Sequence, residues 1–148
     1  MPVNLDIDKR NENIQIYING SFYKREEAKI SVFDSGFLLG DGIWEGIRLV
    51  NNEWLFLDEH VDRLFEGCKA IDIEINMTFD DIKKAISDTQ EINKMSSSAH
   101  ARLMITRGDK IKPFQQPSLS NKGINFVIIM EHSDCLLYTS PSPRDSGK

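Results

Sequence analysis

Hydrophobic and polar residues alternate over Ile14, Gln15, Ile16, Tyr17 and Ile18, stop at Asn19-Gly20, and resume through Ser21, Phe22 and Tyr23. Alternation on both sides of an Asn-Gly pair predicts a β-hairpin, because these residues accept the positive φ of a tight turn. The same logic pairs residues 46–50 with 53–57 across Asn51-Asn52. The period then changes: Val61, Leu64, Phe65, Cys68 and Ile71 recur every third or fourth position behind Asp58. This predicts a helix with Asp58 as N-cap and one buried face. Thr78 and Asp81 have capping-box spacing, and Phe79, Ile82, Ala85 and Ile86 carry a second helix toward Asn93. Ala101, Leu103 and Ile105 then alternate with Arg102, Met104 and Thr106 in a strand ending at Arg107-Gly108. Beyond a polar loop over residues 109–123, the apolar run 124–130 suits a buried strand. Strands, two helices and strands again, without regular β-helix-β alternation, predict an α+β domain with an antiparallel sheet.

Periodicity disappears after Cys135, where residues 136–148 become rich in Ser and Pro. The expected organisation is one α+β domain over residues 1–130 and a truncated or foreign tail over 131–148. The balance of 18 basic and 23 acidic residues leaves a net charge of -5, which disfavours nucleic acid as a partner. No apolar run reaches the roughly 20 residues that cross a bilayer. Asp6, Asp8 and Glu12 are unlike a signal peptide, so a cytoplasmic protein is expected. Cys68 and Cys135 lack partners at metal-ligand spacing and read as free thiols, with no metal site.

Candidate chemistry gathers in three motifs. The first is Phe37-Leu38-Leu39-Gly40-Asp41-Gly42-Ile43-Trp44-Glu45-Gly46-Ile47-Arg48, a glycine-punctuated segment entering a strand. Such glycines allow close backbone approach to a ligand, and they serve ordinary turns equally well. Next, Glu59-His60-Val61-Asp62-Arg63-Leu64 opens the first helix, and His100-Ala101-Arg102-Leu103-Met104-Ile105-Thr106-Arg107-Gly108 forms the later strand. Each residue also has a plain structural reading. Arg63 suits a solvated ion pair with Glu59, Trp44 a core position beside Ile43 and Ile47, Arg102 a solvent-facing strand position, and Arg48 an ion pair with Glu45 or Glu53.

Taken together at this spacing, the motifs resemble the class IV, or fold-type IV, pyridoxal-phosphate-dependent aminotransferases. That family includes branched-chain amino acid aminotransferases, D-amino acid aminotransferases and aminodeoxychorismate lyase. The resemblance runs over residues 19–130 and implies the N-terminal domain of a D-amino acid aminotransferase-like enzyme with pyridoxal 5'-phosphate as cofactor. Arg63 takes the place of the arginine that holds the cofactor phosphate, a task suited to a forked, permanently charged donor. Trp44 falls where the family lines its substrate pocket with an aromatic residue. Leu39 and His100 stand where branched-chain enzymes carry Tyr, and Arg48 borders the pocket. Arg102 matches the arginine that receives the side-chain carboxylate of glutamate in bacterial branched-chain enzymes. His60 reads as a packed or solvent-facing histidine, while Thr106-Arg107-Gly108 looks more like the D-amino acid branch.

The resemblance implies transamination between a branched-chain amino acid and 2-oxoglutarate or glutamate, by a homodimer. It also places the Schiff-base lysine in a second domain. Neither Lys122 nor Lys148 has the desolvated setting that would lower an amine pKa. The 148-residue chain is therefore expected to be inactive by itself, with no catalytic residue of its own. Within the family, D-amino acid aminotransferase and aminodeoxychorismate lyase are the alternatives. Outside it, the alternative is a small non-catalytic α+β binding module.

Overall fold

The computed structural model describes residues 6–134. Both predicted tight turns form: Asn19 and Gly20 have φ of 51° and 92°, and Asn51 and Asn52 have 49° and 64°. The first joins β1 (Gln15–Ile18) to β2 (Ser21–Lys24), and the second joins β3 (Gly42–Val50) to β4 (Glu53–Trp54). A short helix, α1 (Ser35–Leu39), precedes β3; two longer ones, α2 (Leu57–Ala70) and α3 (Phe79–Ile92), follow β4. The chain continues into β5 (Ala99–Thr106) and β6 (Asn125–His132). The strands form a six-stranded antiparallel sheet in the order β2-β1-β6-β5-β3-β4. This is the α+β architecture that the sequence predicts.

Strand alternation decides where the core sits. Ile47 and Leu49 of β3, Ala101, Leu103 and Ile105 of β5, and Phe126, Ile128 and Met130 of β6 are buried on one face. Across from them, Val61, Leu64 and Cys68 of α2 and Ile82, Ala85 and Ile86 of α3 complete the core. Helix α2 lies over β3, whereas α3 lies over β1 and β6. Gly67 permits the close approach of α2, because a Cβ there would meet the Ile43 side chain at 3.1 Å. On the opposite face Trp44 of β3 is 59% exposed.

Several expected boundaries move. Strand β3 begins at Gly42 rather than Gly46, and β4 ends at Trp54 rather than Leu57. The N-cap of α2 is Phe56, with φ 55° and no side-chain cap bond, not Asp58. Asp58 lies inside the first turn, and its carboxylate accepts from Lys83 of α3 at 3.1 Å. Ile71 ends α2 as a partly exposed C-cap rather than extending the buried stripe. The capping box of α3 forms in both directions: Asp81 N–H donates to Thr78 Oγ1 at 3.1 Å, and Thr78 N–H donates to Asp81 Oδ2 at 2.8 Å. Strand β6 passes Met130 and pairs Glu131 with His100 and His132 with Ala99. Cys68 is a buried free thiol; Cys135 and the Ser- and Pro-rich stretch lie outside the described residues.

Candidate active site

The glycine segment resolves into α1, a turn and the start of β3. Asp34 caps α1 by accepting from Phe37 N–H at 3.0 Å, and Gly40 ends the helix in the left-handed region at φ 68°. Asp34 is buried and also accepts from Thr106 Oγ1 and from Asn125 Nδ2 at 2.8 Å, so α1 is tied to the ends of β5 and β6. Arg107 ties down the turn itself. Its Nε and Nη2 donate to Asp41 at 2.6 and 3.1 Å, while Nη1 and Nη2 reach the Asp72 and Ile71 carbonyls at 2.8 and 2.6 Å. Leu39, at the end of α1, is part-exposed.

From Gly42 onward, period-two geometry sends neighbouring side chains to opposite sheet faces. Trp44, Gly46 and Arg48 share the open face with their cross-strand partners Met104, Arg102 and His100. Trp44 is 59% exposed, so its reading as a core residue is overturned. The Arg102 guanidinium carbon sits 4.2 Å from the Trp44 ring centroid, a cation–π contact. Gly46, opposite Arg102, contributes no side chain, and a Cβ there would meet nothing nearer than Trp44 at 3.8 Å. An aromatic ring, a bare backbone segment and a guanidinium thus adjoin on one accessible surface.

Arg48 and His100 lie in the next row of the same face. Arg48 donates through Nη2 to the Ser133 carbonyl, not to Glu45 or Glu53 as the ion-pair reading has it, and its Nε is buried without a hydrogen-bond partner among the described residues. Burial pushes the His100 pKa below its ordinary 6.5, against the pull of Glu131 across the strand. Arg25 holds Glu131 at 3.2 Å.

Arg63 occupies the other side of β3. Its Nε and Nη2 donate to the two Glu45 oxygens at 2.7 and 2.9 Å, and His60 Nδ1 lies 2.8 Å from Oε2 of the same carboxylate. Glu45 is 4% exposed, whereas the Arg63 side chain is 41% exposed. Burial raises the Glu45 pKa, but the hydrogen bonds from His60 and Arg63 outweigh it and hold the carboxyl below its usual range. His60 is thus a partner of a buried carboxylate rather than a plain packed residue. Glu45, Asp34 and Arg107 were missed as site-building residues. Glu45 alone carried a usable signal, a carboxylate at an inward-facing position of an otherwise apolar strand face.

The model of the amino-transferase class IV family matches residues 42–134. The chain belongs to the class IV aminotransferases. A branched-chain-amino-acid aminotransferase-like protein 1 of Arabidopsis thaliana is 34% identical over 121 residues, 82% of this chain and 22% of that protein. D-alanine aminotransferase of Listeria monocytogenes is 27% identical over 95 residues, 64% of this chain and 32% of that enzyme. Among solved structures, a branched-chain amino acid aminotransferase complexed with N-(5'-phosphopyridoxyl)-L-glutamate, from the organism abbreviated T.th., superposes with a TM-score of 0.70 at 26% identity. That match covers 80% of this chain and 40% of the other. This class IV aminotransferase chain therefore spans well under half the length of these relatives. Members of the family are pyridoxal-phosphate enzymes. No helix among the described residues is long and apolar enough to cross a membrane.

Proposed function

We propose that this chain is the N-terminal domain of a cytoplasmic, homodimeric, pyridoxal-phosphate-dependent transaminase that exchanges amino groups between a branched-chain amino acid and 2-oxoglutarate or glutamate. The observation that carries this reading is the Arg102 guanidinium stacked on Trp44 beside the side-chain-free Gly46, on an open sheet face. Such a surface offers apolar area to a branched side chain and a cation to a carboxylate, the two demands a dual-substrate transaminase must reconcile. Arg102 would bind the acidic substrate, Trp44 and Leu39 would line the apolar pocket, and Arg48 and His100 would border it. The exposed Val32, Phe33 and Phe37 around α1 suit a face covered in a larger assembly.

The chain's own groups also fit the cofactor. Arg63 is a partly exposed cation whose orientation is fixed by a buried carboxylate, which suits it to hold a phosphate. Bound pyridoxal phosphate supplies the electron sink for chemistry at the substrate Cα. The lysine it requires is assigned to a second domain. Lys110, the buried lysine among the described residues, spends its ammonium on the Gln116 carbonyl and the Ser120 hydroxyl at 3.1 Å each. The 148-residue chain by itself is accordingly proposed to be inactive. The D-amino acid reading drew on Thr106-Arg107-Gly108, yet Arg107 is committed to Asp41 and to the end of α2. That commitment favours the branched-chain reading.

The test is steady-state kinetics on the full-length protein. Arg102→Ala should lower kcat/KM for glutamate by about 10- to 100-fold, the scale expected when a charged partner is removed, while leaving the branched-chain substrate within about threefold. Equal losses for both substrates, or no amino-group transfer by the unsubstituted protein, would refute the assignment.

A further inference from the structure

Glu45 stands on the closed face of β3, between Ile43, which packs near Gly67 of α2, and the buried Ile47. A carboxylate there is costly unless both oxygens are engaged, and for stability alone an apolar side chain would serve as well or better. Both oxygens are engaged, by groups from the first two turns of α2: three-residue spacing puts His60 and Arg63 on the same helix face. The pairing is lopsided, because the anion is buried while its cationic partner stays 41% exposed. An arginine can bury its stem and its pairing edge while the rest of its fork stays in water, and that is the arrangement here. The interior holds the anchor and the surface receives an oriented guanidinium.

We infer that Glu45, itself held by His60, is a positioning residue that fixes the Arg63 guanidinium for a phosphoryl group. The inference rests on the reading of Arg63 as the cofactor-phosphate ligand. A flexible arginine must give up rotamer freedom when it binds an anion; one already clamped along its Nε–Nη2 edge has given up most of it before the ligand arrives. His60 completes the device by donating from Nδ1 to the oxygen that also receives Nη2. Outer partners of this kind tune the affinity of the group that touches the ligand, as they do around metal ligands.

The test uses the full-length protein and two ligands differing only in the phosphate, pyridoxal phosphate and pyridoxal, with dissociation constants read by equilibrium dialysis. Arg63→Ala should weaken pyridoxal phosphate at least 30-fold and leave pyridoxal within twofold, roughly the loss expected for a charge-assisted pair. Glu45→Gln should weaken pyridoxal phosphate about tenfold, again with pyridoxal unchanged. If R63A does not separate the two ligands, the phosphate assignment itself fails, and the inference with it. If R63A separates them and E45Q does not, only the positioning role fails. Should E45Q not fold, the same pair of constants is measured in His60→Leu, expected to lose about threefold for pyridoxal phosphate alone. His60→Asn, whose amide sits near the Nδ1 position, should restore it; equal weakening of both ligands in H60L would overturn the role.

Discussion

The two faces of the sheet come from the same strands and behave as different materials. On the closed face, Ile47, Leu49, Leu103, Ile105, Ile128 and Met130 pack against α2 and α3. The charge admitted there, on Glu45, is bound by His60 and Arg63. On the open face, Trp44, Arg48, His100 and Arg102 stand side by side, and Trp44 is among the most exposed large hydrophobic residues described. A fold needs its closed face for stability, whereas the open one is free to carry groups that would be intolerable in a core. Function is therefore to be sought on the open face, and in the few polar groups that cross to the closed one.

The sharpest way to break this contrast is to truncate neighbours on one strand. Leu103→Ala should destabilise the fold by about 2–5 kcal/mol in urea unfolding, while Arg102→Ala, one position away, should stay within about 0.5 kcal/mol. Similar losses at the two positions would mean that the open face is part of the core after all. Loosening the cover should cost less: Thr78→Ala removes the side-chain half of the α3 capping box and should lower stability by about 1 kcal/mol in the same assay.

Acid should act through His100, whose folded pKa lies below its ordinary 6.5 because of burial. The folded state then binds fewer protons than the unfolded chain as pH falls through that range. Stability present above about pH 6.5 is thus lost on acidification, with a slope of at most about 1.4 kcal/mol per pH unit for one proton. His100→Asn should flatten this limb below about pH 6.5 in pH-dependent melting curves; an unchanged limb would argue that the open face around Arg48 is already wet. The smallest effect concerns Cys68, whose thiol burial pushes up from 9.0 to about 11. In a Cys135→Ser background it should resist disulfide reagents at pH 8 until the protein unfolds, and fast labelling of the native state would show that the closed face opens.

Much of this was readable in the residues. The turns at Asn19-Gly20 and Asn51-Asn52, the α3 capping box and the alternation of β5 are local signals, and each forms where its chemistry placed it. Boundaries set by tertiary contact were not. Asp58 has the residue type of an N-cap, but the chain enters α2 through a left-handed Phe56, leaving Asp58 to meet Lys83 of the neighbouring helix. Helix α1 was hidden because five residues carry no period, and the Asp34 cap that stabilises it is itself anchored to Thr106 and Asn125, far along the chain.

Sequence by itself determined which residue types were available and which way each strand residue would point relative to its neighbour, since a period of two is a property of the backbone. It therefore determined that Trp44 and Glu45 must part company across β3, and that Arg102 must share a face with its i+2 neighbours. Only the tertiary structure decided which face was covered, that Arg102 would settle over Trp44, and that Glu45 would meet His60 and Arg63. The reason is that register between distant strands, and the helix laid over them, depend on the burial of the whole apolar face at once, a quantity no local window contains.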